Sequence, residues 1–431
     1  MDKIQSPIQF VVLAGGTGSR FDTLSSDIPK PFLPVANKPL LQYVFEFLCK
    51  SNVPKALVVT HSGLQQRIHK IAEKLSIEID ITTVSPDLGT ADVLREIASK
   101  IDRDFVVISG DLITNVPLHE IADIHRVSGS AMVMLLNEEN EENSKKIRKD
   151  KLVSKHFVGL DKDRVAMFLS SFDSGKSVKL RKPFLEKCSE FELYSNMTDG
   201  HLYFFKHWVL RLIEKKKKSI SSIQGDLVPL LVKAQFNPKI AKRLSKYSQE
   251  EQYPNFKGFS SLEEEVGTEN QQFNIKCIAY KTPRDLLCMR VNTFNSYLRA
   301  NFTLINGNPF FSREAYRYKT VYMHKGFKIQ EGDEIENSLL GKELTISGTK
   351  NVINSVIGEN CTIGENVKIE NSIIMNNVKI QDGCQIIDTV IMNSVILEEN
   401  CRLTQCTVRI NQTVEKDTNT KNYIFGEESF Y

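Results

Sequence analysis

Ser355 to Val408 reads SVIGENCTIGENVKIENSIIMNNVKIQDGCQIIDTVIMNSVILEENCRLTQCTV. Within it Ile357, Ile363 and Ile369 are spaced six and six, and a step of five reaches Ile374, where the pattern starts again. Ile374, Ile380, Ile386, Ile391, Leu397, Leu403 and Val408 continue it, and Met323, Ile329, Ile335, Leu340, Ile346 and Val352 extend it backwards. Equivalent positions therefore recur every 17 residues, as from Ile357 to Ile374. Neither a helical face nor a heptad keeps that spacing. A coil of three short parallel strands does, with one inward aliphatic per side and one side a residue shorter. Two residues before the aliphatics stand Cys361, Val367, Val378, Cys384, Val395, Cys401 and Cys406, small side chains that fit near the corners of such a prism. Asn360, Asn366, Asn371, Asn376, Asn377 and Asn400, with Gly358, Gly364 and Gly383, crowd the turns, where left-handed backbone is best tolerated by Asn and Gly. The spacing predicts a parallel β-helix of hexapeptide type over 320–431.

Upstream the pattern changes. Short apolar runs at Ile8–Leu13, Ala56–Thr60, Ile79–Val84, Phe105–Ser109 and Ser130–Leu136 alternate with helical spacing after Pro39 and over Ser62–Leu75 and Thr90–Ile101. Such alternation predicts an α/β domain with βαβ units and a doubly wound sheet, here over 1–300. The charge-dense Glu138–Lys151 reads as a solvated loop, and Lys215–Lys218 as the charged end of the apolar helix Trp208–Ile213. The polar stretch 241–272, with Glu263–Glu265, reads as a mobile insert. The aromatic tail Asn422–Tyr431 reads as packed on a coil or on a partner.

Composition bounds the possibilities. With 431 residues, 41% apolar and 25% charged, the chain is not globally disordered. Lys and Arg number 56 against 53 acidic residues, a net charge of +3 that points to no direct nucleic-acid partner. No run reaches the ~18–20 apolar residues of a membrane span, so no membrane partner is expected. Met1–Phe10 lacks the apolar core of a secretory signal. The expected location is therefore the cytosol, with the eight cysteines reduced. No CxxC pair or zinc-type His spacing appears, and no metal site is expected.

The main chemical motif is Leu13-Ala14-Gly15-Gly16-Thr17-Gly18-Ser19-Arg20, followed by Pro29-Lys30-Pro31 and by Lys38-Pro39. Glycines directly after a strand let backbone N–H groups approach phosphate oxygens, which Arg20 and Lys30 can neutralise. It is not a dinucleotide fingerprint, because Phe21 stands where a third glycine belongs, and no Gly-Lys-Ser/Thr of a P-loop follows.

Together these residues resemble the sugar-1-phosphate nucleotidyltransferase family, which binds a nucleoside triphosphate over such a loop. Gly89-Thr90-Ala91 matches the family's segment at the nucleobase and sugar, and Asp111 of Ser109-Gly110-Asp111 matches the aspartate that helps hold Mg²⁺. A following left-handed β-helix is a family feature, so the resemblance implies a nucleotidyltransferase-like mixed sheet followed by that helix. It also implies GTP or ATP with Mg²⁺ as the cofactors, at Gly15, Gly16, Gly18, Arg20, Lys30, Gly89 and Asp111; the residues themselves fix none. Departures from the family pattern lie where the chemistry belongs. After the turn Gly159-Leu160-Asp161, Ser171 stands in place of the lysine that contacts the sugar phosphate, while Arg181-Lys182-Pro183 comes about a dozen residues late. Asp199-Gly200-His201-Leu202-Tyr203 replaces the family's Asn-Ala-Gly-Ile-Tyr. Asp199 thereby brings negative charge, and His201 bulk, to the sugar side, and Asp226 is a candidate second metal carboxylate.

A phosphate loop kept beside a degraded sugar site resembles, more narrowly, the gamma-subunit family of eukaryotic translation initiation factor 2B, the nucleotide exchange factor of initiation factor 2. Gly89–Arg95, Gly110–Glu120, Thr198–Tyr203 and Ser222–Val232 carry that likeness. The resemblance implies no catalytic residues and a vestigial loop. It implies a subunit that supports the epsilon chain directly, with alpha, beta and delta chains and initiation factor 2 as further partners. The alternatives are an active enzyme such as a mannose-1-phosphate guanylyltransferase and a nucleotide-sensing subunit of one.

Overall fold

The computed structural model describes residues 8–16, 24, 27–139, 156–170, 188, 190–217, 219–249, 275–305, 316–318, 321–323, 334–348 and 351–426. They fall into two compact units, one holding 8–16, 44–139 and 156–288, the other 24–43 and 289–426.

In the first unit nine strands form one mixed sheet. They are β1 (Gln9–Leu13), β2 (Lys55–Thr60), β3 (Glu78–Thr83), β4 (Phe105–Ser109), β5 (Met132–Glu138), β6 (His156–Asp161), β7 (Arg164–Ser170), β8 (Phe191–Phe205) and β9 (Cys277–Lys281), in the order β3-β2-β1-β4-β8-β5-β9-β7-β6. The first four are parallel, with Val11 between Leu57 and Val107. Their apolar runs are buried on both faces, as in Phe10–Val12 and Val106–Ile108. β8 runs antiparallel to β4, β5 and β6, and its register against β5 shifts between Asp199 and Tyr203.

Helices α1 (Leu40–Lys50), α2 (Gln65–Leu75), α3 (Thr90–Glu96), α4 (Leu118–Ser128), α5 (His207–Lys215), α6 (Val228–Ala234) and α7 (Pro238–Gln249) come in chain order. α2 turns Ile68, Ile71 and Ala72 inward and ends on Ser76 in left-handed backbone; α4 ends on Gly129 in the same conformation. α3 is shorter than Thr90–Ile101, since the chain tightens into a 3₁₀ turn at Ala98–Lys100. α7 corrects the expected insert: residues 241–249 are helical, with Leu244 buried and Ile240, Ala241 and Tyr247 packed on the core. Its many lysines hide that apolar stripe in the composition. The remainder of the insert, 250–272, and the expected loop over 140–151 lie outside the described residues.

The second unit is a three-sided parallel β-helix. Leu339–Leu340, Val356–Ile357, Ile373–Ile374, Val390–Ile391, Thr407–Val408 and Ile424–Phe425 stack on one side. Each pairs with the residue 17 positions on, Ile357 with Ile374 and Ile374 with Ile391. The other two sides stack on Val352, Ile369, Ile386 and Leu403, and on Ile346, Ile363, Ile380, Leu397 and Val414. The aliphatics of the 17-residue pattern form its core with the inward cysteines; Ile329 lies outside the described residues. Left-handed backbone recurs at the turns, as at Asn354, Asn371, Asp388 and Gln405. In the tail, Ile424–Phe425 adds the last strand while Tyr423 is half exposed; 427–431 lie outside the described residues.

A column of hydroxyls runs inside one corner. Ser338, Ser355, Ser372 and Thr389 are fully buried. Each hydroxyl oxygen accepts the backbone N–H of the residue 17 positions on, at 3.1–3.2 Å, and Cys406 ends the column. The hydroxyls in turn donate to the carbonyl two residues back, Ser355 to Ile353 at 2.7 Å and Ser372 to Glu370 at 2.6 Å. These backbone amides point along the strands' own stacking direction at the corner, and without the hydroxyls they would be buried unpaired.

The sequence reading assigned residues 27–43 and 289–300 to the first domain, yet they group with the β-helix. Ala36 donates its N–H to Asn301 Oδ1 on helix α8 (Phe294–Ile305) at 2.7 Å. Asn37 donates to the Ile357 carbonyl at 2.7 Å, and Asp27 pairs with Arg409.

Candidate functional site

The C-terminal ends of parallel strands are where open α/β sheets place ligands. β1 runs into Ala14, Gly15 and Gly16 there. Ala14 N donates to the Val59 carbonyl at 2.8 Å, and Gly110 N to the Leu13 carbonyl at 2.8 Å, so β2 and β4 hold the turn from both sides. Thr60 Oγ1 donates to the Ala14 carbonyl at 3.4 Å. The His61 ring lies over Gly15, where a Cβ would stand 3.1 Å from its Cε1. Among the described residues, a Cβ on Gly16 would meet no atom within 4 Å. Asp111, directly after Gly110, is buried.

The base and sugar side is built differently. Gly89 caps α3 in extended backbone (φ −68°), and a Cβ there would collide with the carbonyl and hydroxyl of Ser221. That carbonyl accepts the N–H groups of Ala91 at 2.8 Å and Asp92 at 3.3 Å. The hydroxyl of Ser221 donates to Asp92, and Thr90 Oγ1 accepts the Ile223 N–H at 2.9 Å. Burial alone would raise the Asp92 carboxyl, but the bonds from Ser221 and Arg95 hold it below the usual range. The amides that open α3 are thus spent on the chain itself.

Asp199 and Asp226 are spent in the same way. Asp199 is buried and accepts the His201 N–H at 2.8 Å, Gln224 Nε2 at 3.0 Å and the Tyr203 hydroxyl. Its charge serves this internal network and is not presented to a sugar. His201 follows on left-handed backbone (φ 50°) at the β8 irregularity, its ring beside Tyr203. Asp226 Oδ2 accepts the N–H groups of Ser221 and Ser222 at 2.9 and 2.8 Å, closing the turn whose Ser221 is stapled to the start of α3. Among the described residues, no three His, Cys, Asp or Glu side chains gather as a metal ligand set. The Ala91 and Asp92 amides and the carboxylates of Asp199 and Asp226 are thus engaged with groups of the chain itself.

Of the sequence candidates, Gly15, Gly16, Gly89 and Asp111 lie in the first unit beyond the ends of its parallel strands. Lys30 opens the 3₁₀ turn Lys30–Phe32 in the second unit. Gly18 and Arg20, with Ser171 and Arg181–Pro183, lie outside the described residues. The sequence reading missed His61, Ser221 and Gln224. Ser221 acts through its backbone carbonyl, which no residue type signals.

The cysteines are packing groups. Cys361, Cys384, Cys401 and Cys406 are buried, and burial pushes the Cys361 thiol up to about 11 and the Cys384 thiol up to about 12, far from the thiolate that redox or metal chemistry needs.

Two family models match the chain: nucleotidyl transferase over residues 9–146, and the left-handed β-helix (LbH) domain of EIF2B subunit epsilon over 315–420. The chain is 28% identical over 319 residues to translation initiation factor eIF2B subunit gamma of Schizosaccharomyces pombe, covering 70% of this chain and 67% of the relative. It is 27% identical over 365 residues to the eIF2B subunit gamma of Caenorhabditis elegans, covering 79% and 80%. It is also 26% identical over 229 residues to a mannose-1-phosphate guanyltransferase of Candida albicans, covering 52% and 55%. The gamma-subunit likeness thus spans both units, and the architecture is a nucleotidyltransferase domain followed by a left-handed β-helix.

Proposed function

We propose, from the premise that this chain belongs to the family of translation initiation factor eIF2B gamma subunits, that it is a non-catalytic subunit of that exchange complex. It supports the epsilon chain directly, within an assembly that also holds alpha, beta and delta chains and acts on initiation factor 2 in the cytosol. No helix among the described residues is long and apolar enough to cross a membrane.

One observation carries the non-catalytic reading. The Ser221 carbonyl occupies the first amides of α3, and Gln224 on the same turn is bonded to Asp199. The family resemblance puts the Gly89–Ala91 segment at the base and sugar, and here the Ala91 and Asp92 amides are bonded within the chain, which supports this reading. Transition-state stabilisation requires donors aimed at developing charge, and here the donors point at the chain's own carbonyl and carboxylates. By the family resemblance, the Gly15–Gly16 turn with Gly89 and Asp111 is a vestigial phosphate loop, for which GTP or ATP with Mg²⁺ is the expected ligand; Gly18, Arg20 and Lys30 are the sequence's further candidates.

Pyrophosphate release from GTP or ATP with Mg²⁺ and mannose 1-phosphate tests this. The expected result is no turnover above background. Turnover on the order of 1 s⁻¹ establishes the alternative, an active sugar-1-phosphate nucleotidyltransferase.

A further inference from the structure

The outward side of α7 and the end of α5 form a concentrated basic face. α7 seats Ile240, Ala241, Leu244 and Tyr247 on the core, and this turns Lys239, Lys242, Arg243 and Lys246 to solvent. α5 packs against α7 and ends at exposed Lys215, with exposed Lys217 just beyond it. None of these six cations makes an ion pair among the described residues.

We infer that this face docks an acidic segment, rich in Asp and Glu, of a partner protein. Successive turns of α7 present cations about 5.4 Å apart, close to the ~6.7 Å between alternate side chains of an extended peptide, so carboxylates at every second position meet one cation each. Among the described residues, the face carries no exposed aromatic side chain on which bases could stack. Exposed Glu214 directly precedes Lys215 in the chain. It opposes the unbroken charge of a nucleic-acid backbone, while a peptide can place a neutral residue against it. Docking of this kind raises the rate of encounter and weakens as salt rises. The inference rests on α5 and α7 and is independent of the site reading above.

The experiment uses the full chain and fluorescence anisotropy with two labelled probes, a glutamate 12-mer and an RNA duplex of equal total charge, at low and at physiological salt. The glutamate peptide is expected to bind more tightly than the duplex. The triple variant Lys239→Glu, Lys242→Glu, Lys246→Glu should weaken peptide binding at least tenfold, and the matching glutamine variant by less. Circular dichroism melts confirm that both variants are folded. Peptide affinity unchanged in the folded triple variant overturns the inference, as does tighter binding of the duplex through the same lysines.

Discussion

The Arg409 guanidinium grips the Asp27 carboxylate with two prongs, Nε to Oδ2 at 3.0 Å and Nη2 to Oδ1 at 2.6 Å, across 382 residues of chain. Its third nitrogen group donates to the Gly426 carbonyl at 3.1 Å, one coil further along the β-helix. Both side chains are largely shielded, so the pair is worth more than a surface ion pair. Arg409→Ala is expected to cost about 2 kcal/mol and to speed amide hydrogen exchange across 28–37. Arg126→Ala, which removes an exposed pair with Asp123, should leave exchange and stability unchanged.

The hydroxyl column makes a sharper demand. Ser355→Ala leaves the buried Ser372 N–H without its acceptor and should lower stability by about 1–3 kcal/mol. Ser355→Cys should cost less, because Cys406 already fills the same column and bonds the Thr404 carbonyl through sulfur. Urea melts of the three proteins check the order.

The staple at the sugar side is testable through Asp199. Asp199→Asn turns one acceptor into a donor, facing either Gln224 Nε2 and the Tyr203 hydroxyl or the His201 N–H. A loss of about 1–3 kcal/mol is expected, read by urea denaturation, with no gain of pyrophosphate release. Gly89→Ala should also destabilise the unit, since its methyl would displace Ser221 from α3.

Much of the fold was legible because two periods leave little choice. Ile357, Ile363 and Ile369 and their repeats fix three inward sides, and the apolar runs at Val11 and Val107 fix buried parallel strands. Serines at 338, 355 and 372 recur at the same 17-residue interval, so the hydroxyl column was also present in the pattern. Its polarity concealed it behind the cysteines and valines at matching corners. α7 was obscured by composition, since Ile240, Leu244 and Tyr247 are few among lysines. The degraded site was only half legible. Substitutions at 199 and 201 were visible, but Ser221 works through a carbonyl, and Asp199 acquires its partners from residues 224, 201 and 203 only once β8 bends.

Asp104 gives the first unit an acid limit. Burial alone would raise its carboxyl, but bonds from His125 and Lys206 and from the His207 N–H hold it at about 2. A depressed folded pKa stabilises the protein above the unfolded value near 3.8, and that stability is lost as pH falls from about 4 toward 2. The full contribution is about 2 kcal/mol. Asp104→Asn should flatten that part of the stability curve, measured by urea melts between pH 5 and 2.5.

The most direct test is GDP release from GDP-loaded initiation factor 2, measured with the epsilon chain, with this chain, and with both. With both present, release should exceed that of epsilon alone, and this chain alone should leave the rate at its uncatalysed level. Exchange by this chain alone, or a rate with epsilon that is unchanged by adding it, would contradict the role of a non-catalytic supporting subunit.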